Sequence, residues 1–161
     1  MSAALGSAHL IAAPVLLPLV TAAVLVGMGN RRRGAKAMLN GLSMIASLAL
    51  AIHLLARVDR LGVPGAFGVY LPGNWPVPFG IVLALDHLSA LMLVLAAMLG
   101  VASLLFSLAR WHTASVHFHP MLQLQLMGLN GAFLTGDLFN LFVFFEVLLA
   151  ASYGLLLHGD G

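Results

Sequence analysis

The stretch GDLFNLFVFFEVLLAASYGLLL, residues 136–157, is largely apolar from Leu138 onward and carries a single acid there, Glu146, set between Phe145 and Val147. A helix crossing the hydrocarbon core of a bilayer needs about 20 predominantly apolar residues, and Leu138 to Leu157 supplies such a run. Counting at 1.5 Å per residue, Glu146 lies about 12 Å below one edge of a core roughly 30 Å thick, near mid-membrane. An ionised carboxylate is expensive there, and acids at such positions mark ion and proton pathways. Glu146 is therefore a candidate proton carrier. The structural alternative is a neutral Glu that only hydrogen-bonds a neighbouring helix. Tyr153, seven residues on and about 20° away around the helix, shares its face as a candidate partner, whereas Asn140 points elsewhere.

The rest of the chain agrees with a membrane environment. Of its 161 residues 61% are hydrophobic and only 7% charged, with a mean hydropathy of +1.06, against about 25% charged in soluble domains. The chain has no cysteine, which removes disulfides, thiolate-bound zinc and cysteine-ligated iron–sulfur clusters. An electron carrier would need histidine, and His53 and His87, near one surface on different helices, are the pair that fits haem ligation. Interfacial histidines are the simpler reading, so no cofactor and no metal are expected. His112, His117 and His119 likewise read as membrane-edge histidines, with a metal or proton-collecting cluster as the alternative. The formal charge of +2 does not argue for nucleic acid, because Arg31, Arg32, Arg33 and Lys36 cluster in one short loop and fit a topology signal better.

Five stretches qualify as spans, at about residues 10–28, 37–56, 88–109, 120–136 and 138–157. They predict an all-α integral membrane protein, a single transmembrane domain over residues 1–161. Met1 to Leu10 lacks the positive charge of a secretory signal, so the first span stays in the mature chain. Pro14 and Pro18 should bend the first helix. Pro120 suits the first turn of the fourth helix, and Asp137 is placed to cap the fifth after a tight Thr135-Gly136-Asp137 turn. Placing Arg31, Arg32, Arg33, Lys36 and Arg110 on the cytoplasmic side, against Arg57 and Arg60 outside, puts the N-terminus outside. Trp111 then suits an interfacial anchor. The outer segment 57–86 is rich in Pro and Gly and reads as a short strand-like hairpin around Pro72-Gly73-Asn74-Trp75, with Asp86 capping helix three.

Polar residues inside the spans fall in stripes. His119, Gln123, Asn130 and Asp137 are spaced by 4, 7 and 7, within about 40° of one another on a helix. Linked by water, they form a candidate proton path toward or away from Glu146; the alternative is interhelical glue, which is also the reading for Gln125. Asn40, Ser43 and Ser47 on helix two, and Ala96, Gly100, Ser103 and Ser107 on helix three, read as packing faces.

The segments HFHPMLQLQLMGLNGAFLTGDLFNLFVFFEVLLAASYGLLLHG, residues 117–159, and GNWPVPFGIVLALDHLSALM, residues 73–92, resemble the D subunit of the Mrp-type multisubunit sodium/proton antiporters. More broadly they are similar to the proton-pumping membrane subunits of respiratory NADH:quinone oxidoreductase. The resemblance implies a fold of about fourteen helices containing two inverted five-helix repeats. It implies a subunit of a monovalent cation (Na+)/proton antiporter in the bacterial cell membrane, a transporter and not an enzyme. The implied partners are other subunits of the complex, lipid, and Na+ and H+ as transported ions. The family's proton-handling glutamate on helix five maps to Glu146. Its partner is a lysine on a later helix, and the only lysine here is Lys36, in a loop. The chain stops where helix five ends, so the expectation is an N-terminal fragment with an incomplete repeat that does not transport alone. A membrane subunit of a quinone-reducing complex, or a non-transporting assembly fragment, are the alternative functions.

Overall fold

The computed structural model describes residues 9–28, 33–61, 68–74, 80–110 and 117–157. Within them the chain forms five helices: α1 (Ala13–Gly27), α2 (Arg33–Leu61), α3 (His87–Arg110), α4 (Phe118–Leu134) and α5 (Leu138–Leu157). By length and composition α2, α3 and α5 are long and apolar enough to cross a membrane, while α1 and α4 are shorter, at 15 and 17 residues. Two three-residue strands, β1 (Gly68–Tyr70) and β2 (Leu83–Leu85), pair antiparallel with Gly68 opposite Leu85. This is the hairpin expected from the Pro- and Gly-rich segment. Gly73 in the intervening Pro72–Asn74 turn takes φ 75°, a left-handed conformation that favours glycine.

Three local expectations change. Pro14 does not bend helix one; it stands at the start of α1, where a missing N–H costs nothing, and only Pro18 lies inside the helix. Helix two continues a turn before residue 37 and past residue 56, so Lys36 belongs to α2 and not to a loop. Helix four starts two residues before Pro120 and ends at Leu134, because Thr135 leaves the helix to bridge Leu83 of β2. Trp111, His112, Arg31, Arg32 and His158 lie outside the described residues.

α4 is the central helix, touching each of the other four. Lipid supplies no hydrophobic drive between helices, so close approach through small residues and interhelical hydrogen bonds must hold them. Against α5 the approach is through glycine: a Cβ at Gly128 would sit 3.0 Å from the Leu148 backbone nitrogen, and one at Gly131 would collide with the Phe144 ring. Between α2 and α3, Met44 lies against Gly100. The hairpin is fastened to the bundle from two sides, by the Gly136 N–H donating to the Val82 carbonyl at 2.8 Å and by His9 Nδ1 meeting the Tyr70 hydroxyl at 3.0 Å. Its inward residues Leu83 and Leu85 join Ile11, Leu54, Leu93 and Leu134 in one apolar core, and a second core gathers Met44, Ala96, Leu104, Leu122 and Leu126.

Candidate functional site

Phe144 and Leu148 turn toward α4, since it is their atoms that a side chain at Gly128 or Gly131 would meet. Glu146 lies about 200° around the helix from Phe144, so it faces away from α4. It is exposed, as is Tyr153 at 63%, and among the described residues Glu146 has no hydrogen-bond or ion-pair partner. The five helices therefore present the mid-helix carboxylate outward. Asp137 stands at the N-terminus of α5, accepting from the Asn140 amide at 3.3 Å and from Asn140 Nδ2 at 3.0 Å. That is the expected cap, which fits both the missing partners of a helix start and its positive dipole end.

The rest of the stripe faces the other way. Asn130 lies about 200° around α4 from Gly128, and His119, Gln123 and Asn130 turn toward α1 and α2. Gln123 Nε2 donates to Asn40 Oδ1 at 2.6 Å, and Asn40 Nδ2 meets His119 Nδ1 at 2.9 Å. Asn130 Nδ2 donates 2.8 Å to the carbonyl of Pro14. This last bond follows from the sequence of α1. Pro18 has no N–H to give to the carbonyl four residues earlier, so Pro14 is left with a free acceptor, and Asn130 reaches across to satisfy it. Alongside, the Thr21 hydroxyl donates to the Leu17 carbonyl and lies 2.8 Å from the Ser43 hydroxyl.

The amide chain has a direction. With Asn40 donating, His119 Nδ1 must be an acceptor, so the ring carries its proton on Nε2. A proton added to Nδ1 would confront the Asn40 N–H with another donor. Turning the Asn40 and Gln123 amides over together removes that conflict: Asn40 Oδ1 then accepts from His119, and Asn40 Nδ2 donates to Gln123 Oε1, which has no partner among the described residues in the present arrangement. The arrangement can thus reverse its polarity in response to a proton at His119. Lys36, one turn before Asn40, is 3% exposed and has no ion-pair partner among the described residues.

The other histidines stay apart from this line. His87 pairs with Asp59 at 2.9 Å, both exposed, and His53 is exposed on α2. Among the described residues no three histidine, aspartate or glutamate side chains come together as metal ligands. Gln125 lines a groove of about 490 Å³ between α3, α4 and α5 with Phe106, Phe118 and Leu155. Asp86 caps α3 as expected: its Oδ1 accepts from the Ser89 N–H at 2.6 Å and from the Ser89 hydroxyl, and these bonds, the hydroxyl's foremost, hold its carboxyl below the usual carboxylate value. The residue that sequence reasoning placed in the scaffold and the structure places at the centre of the line is Asn40. Its signal was present, a polar amide on the buried face of a membrane helix, but its partners on α4 lie some eighty positions away.

No protein-family model matches the chain. It is 57% identical over 155 residues, 95% of its own length, to the D subunit of a probable K+/H+ antiporter of Rhizobium meliloti, of which it covers 29%. It is 37% identical over 94% of its length to the D subunit of the Na+/H+ antiporter of Alkalihalophilus pseudofirmus, covering 30% of that protein. The chain thus spans under a third of the length of these curated relatives. Among solved structures it aligns with a chain of the Mrp complex from Dietzia sp. at a TM-score of 0.83 and 35% identity, covering 91% of this chain and 26% of that one. A chain of an archaeal membrane-bound sulfane sulfur reductase shares the fold, also at a TM-score of 0.83, with 24% identity over 94% of this chain and 31% of that one.

Proposed function

We propose, for a multi-pass membrane chain that over the length it spans belongs to the family of antiporter D subunits, that it serves a monovalent cation/proton antiporter and that Glu146 carries the proton. The observation supporting this is the lone carboxylate midway along α5, on the helix face turned away from α4. An acid in that position is costly against lipid and useful against a protein surface that supplies donors or a cation. The partners are the rest of the subunit and the other subunits of a multisubunit complex, as in the Mrp assembly whose chain shares this fold. Glu146 alternates between protonated and ionised forms as that surface changes, and no covalent chemistry or cofactor is involved. Tyr153 shares its exposed face. Asp137 sits at the head of the same helix and is the stripe residue that shares an element with Glu146.

The site is in the bacterial cell membrane with the N-terminus outside, since the basic residues concentrate at Arg31, Arg32, Arg33, Lys36 and Arg110. The names of the relatives divide between K+ and Na+, so the cation is to be read by experiment. In vesicles holding the complete complex, Glu146→Gln keeps the size and hydrogen bonding of the side chain and removes its titration. The expected result is a large loss of pH change driven by Na+ or K+ with the complex still assembled. Exchange near the level of the unaltered complex, with either cation, defeats the assignment.

A further inference from the structure

The two faces of α4 carry different chemistry, and the one turned toward α1 and α2 is not accounted for by Glu146. Three buried side-chain oxygens among the described residues have no hydrogen-bond partner: Ser47 Oγ, Gln123 Oε1 and Asn130 Oδ1. Gln123 and Asn130 bond α2 and α1 across this seam, and Ser47 stands seven residues after Asn40 on α2, about 20° from it around that helix. Gln123 and Asn130 lie on the same side of α4, about 10 Å apart along its axis. The Thr21–Ser43 pair links α1 to α2 within the same seam. Gln123 is fully buried and Asn130 is 3% exposed. A buried polar atom without a partner is destabilising by roughly 1–3 kcal/mol, and such atoms in native proteins are ordinarily met by internal water.

From this we infer that the seam between α1, α2 and α4 is a binding site for internal water, held by Gln123, Ser47 and Asn130. Water suits the site better than a metal cation for two reasons. The Gln123 group facing the seam is an oxygen when Asn40 donates to His119 and an N–H when that chain reverses, and only a ligand that both donates and accepts satisfies both. Lys36, buried one turn from Asn40, also opposes a second positive charge near that end. The water gives His119 a hydrated extension into the bundle on the side of α4 away from Glu146. The inference does not rest on the role of Glu146.

Met127 is the reporter. It stands one turn after Gln123, about 40° from it and 60° from Asn130 around α4, and is 8% exposed, whereas Met44, 1% exposed, packs in the apolar core beside Ala96, Leu104, Leu122 and Leu126. Hydroxyl radicals made from water by an X-ray pulse oxidise the methionine sulfur that water touches. In the full-length chain within its assembled complex, Met127 is expected to be oxidised several-fold faster than Met44. Gln123→Leu and Asn130→Leu, each tested where the complex assembles, should bring Met127 down toward Met44. Equal oxidation of the two methionines in the unaltered complex overturns the inference, and this comparison needs no variant. Met127 labelling that is unchanged in both leucine variants overturns it as well, because the water touching the sulfur would then come from elsewhere.

Discussion

The Asp86 cap needs only its own neighbours, since Ser89 three residues on provides both the amide and the hydroxyl that it binds. Its carboxyl is held below the ordinary value, Ser89 being the first cause. The ionised form is therefore the one the folded state favours: the stabilisation is complete above a pH of about 4, the unfolded value, and is lost as pH falls through the lower folded value. Asp86→Ala should destabilise the protein by about 1 kcal/mol at pH 7, and the gap between variant and parent should be narrower at pH 3, below the unfolded value. Thermal midpoints in detergent at both pH values check it, and a gap of the same size at pH 3 would mean that charge plays no part. The partners of the stripe were not legible in this way. The spacing 119, 123, 130 fixed a common face, but whether that face met helix five or helices one and two depended on α4 having glycines at 128 and 131, which stand about 80–180° around the helix from those residues. Pro18 was the one local clue, because it frees the Pro14 carbonyl that Asn130 then takes.

At the level of elements, hydropathy located all five helices and misjudged their ends. Arg57, Asp59 and Arg60 remain helical in α2, since charge ends a membrane crossing and does not end a helix. At Thr135 a strand bridge stops α4 at the head of the Thr135-Gly136-Asp137 turn, short of the end at residue 136 that hydropathy suggested. The α4–α5 pair, expected as a tight hairpin, is tight for a reason that the glycines make testable. At Gly128 the neighbours are backbone atoms of Leu148 and Phe144 at 3.0–3.2 Å, which cannot turn aside, whereas at Gly41 the nearest atom is a Leu104 methyl at 3.8 Å. Gly128→Val should force the helices apart and cost about 1–3 kcal/mol, as overpacking does, while Gly41→Ala should change stability little. Unfolding of both variants by denaturing detergent gives the comparison. Similar losses at the two sites would show that close approach is not what holds α5.

Across the whole molecule, the same physics assigns opposite tasks to the two sides of the bundle. Toward α1 and α2, buried amides and hydroxyls bond helix to helix; on the far side of α5, the Glu146 carboxylate is exposed and has no partner among the described residues. Under the proposed proton-carrying role of Glu146, the direction in which protons reach it depends on which end of the bundle faces the cytoplasm, and the basic residues near the start of α2 are what set the expected answer. Gly34 and Val69 mark the two ends. Gly34 stands at the start of α2 with nothing within 4 Å of an added Cβ. Val69, 46% exposed, is in β1, whose neighbour Tyr70 bonds His9 ahead of α1. Because the 161 residues contain no cysteine, Gly34→Cys and Val69→Cys each introduce one thiol against a clean background from this segment. In intact cells a membrane-impermeant maleimide should label the cysteine at 69, and should label the one at 34 only after the membrane is opened. The opposite pattern would invert the bundle, move the positive cluster outside, and reverse the side from which Glu146 is approached along α5.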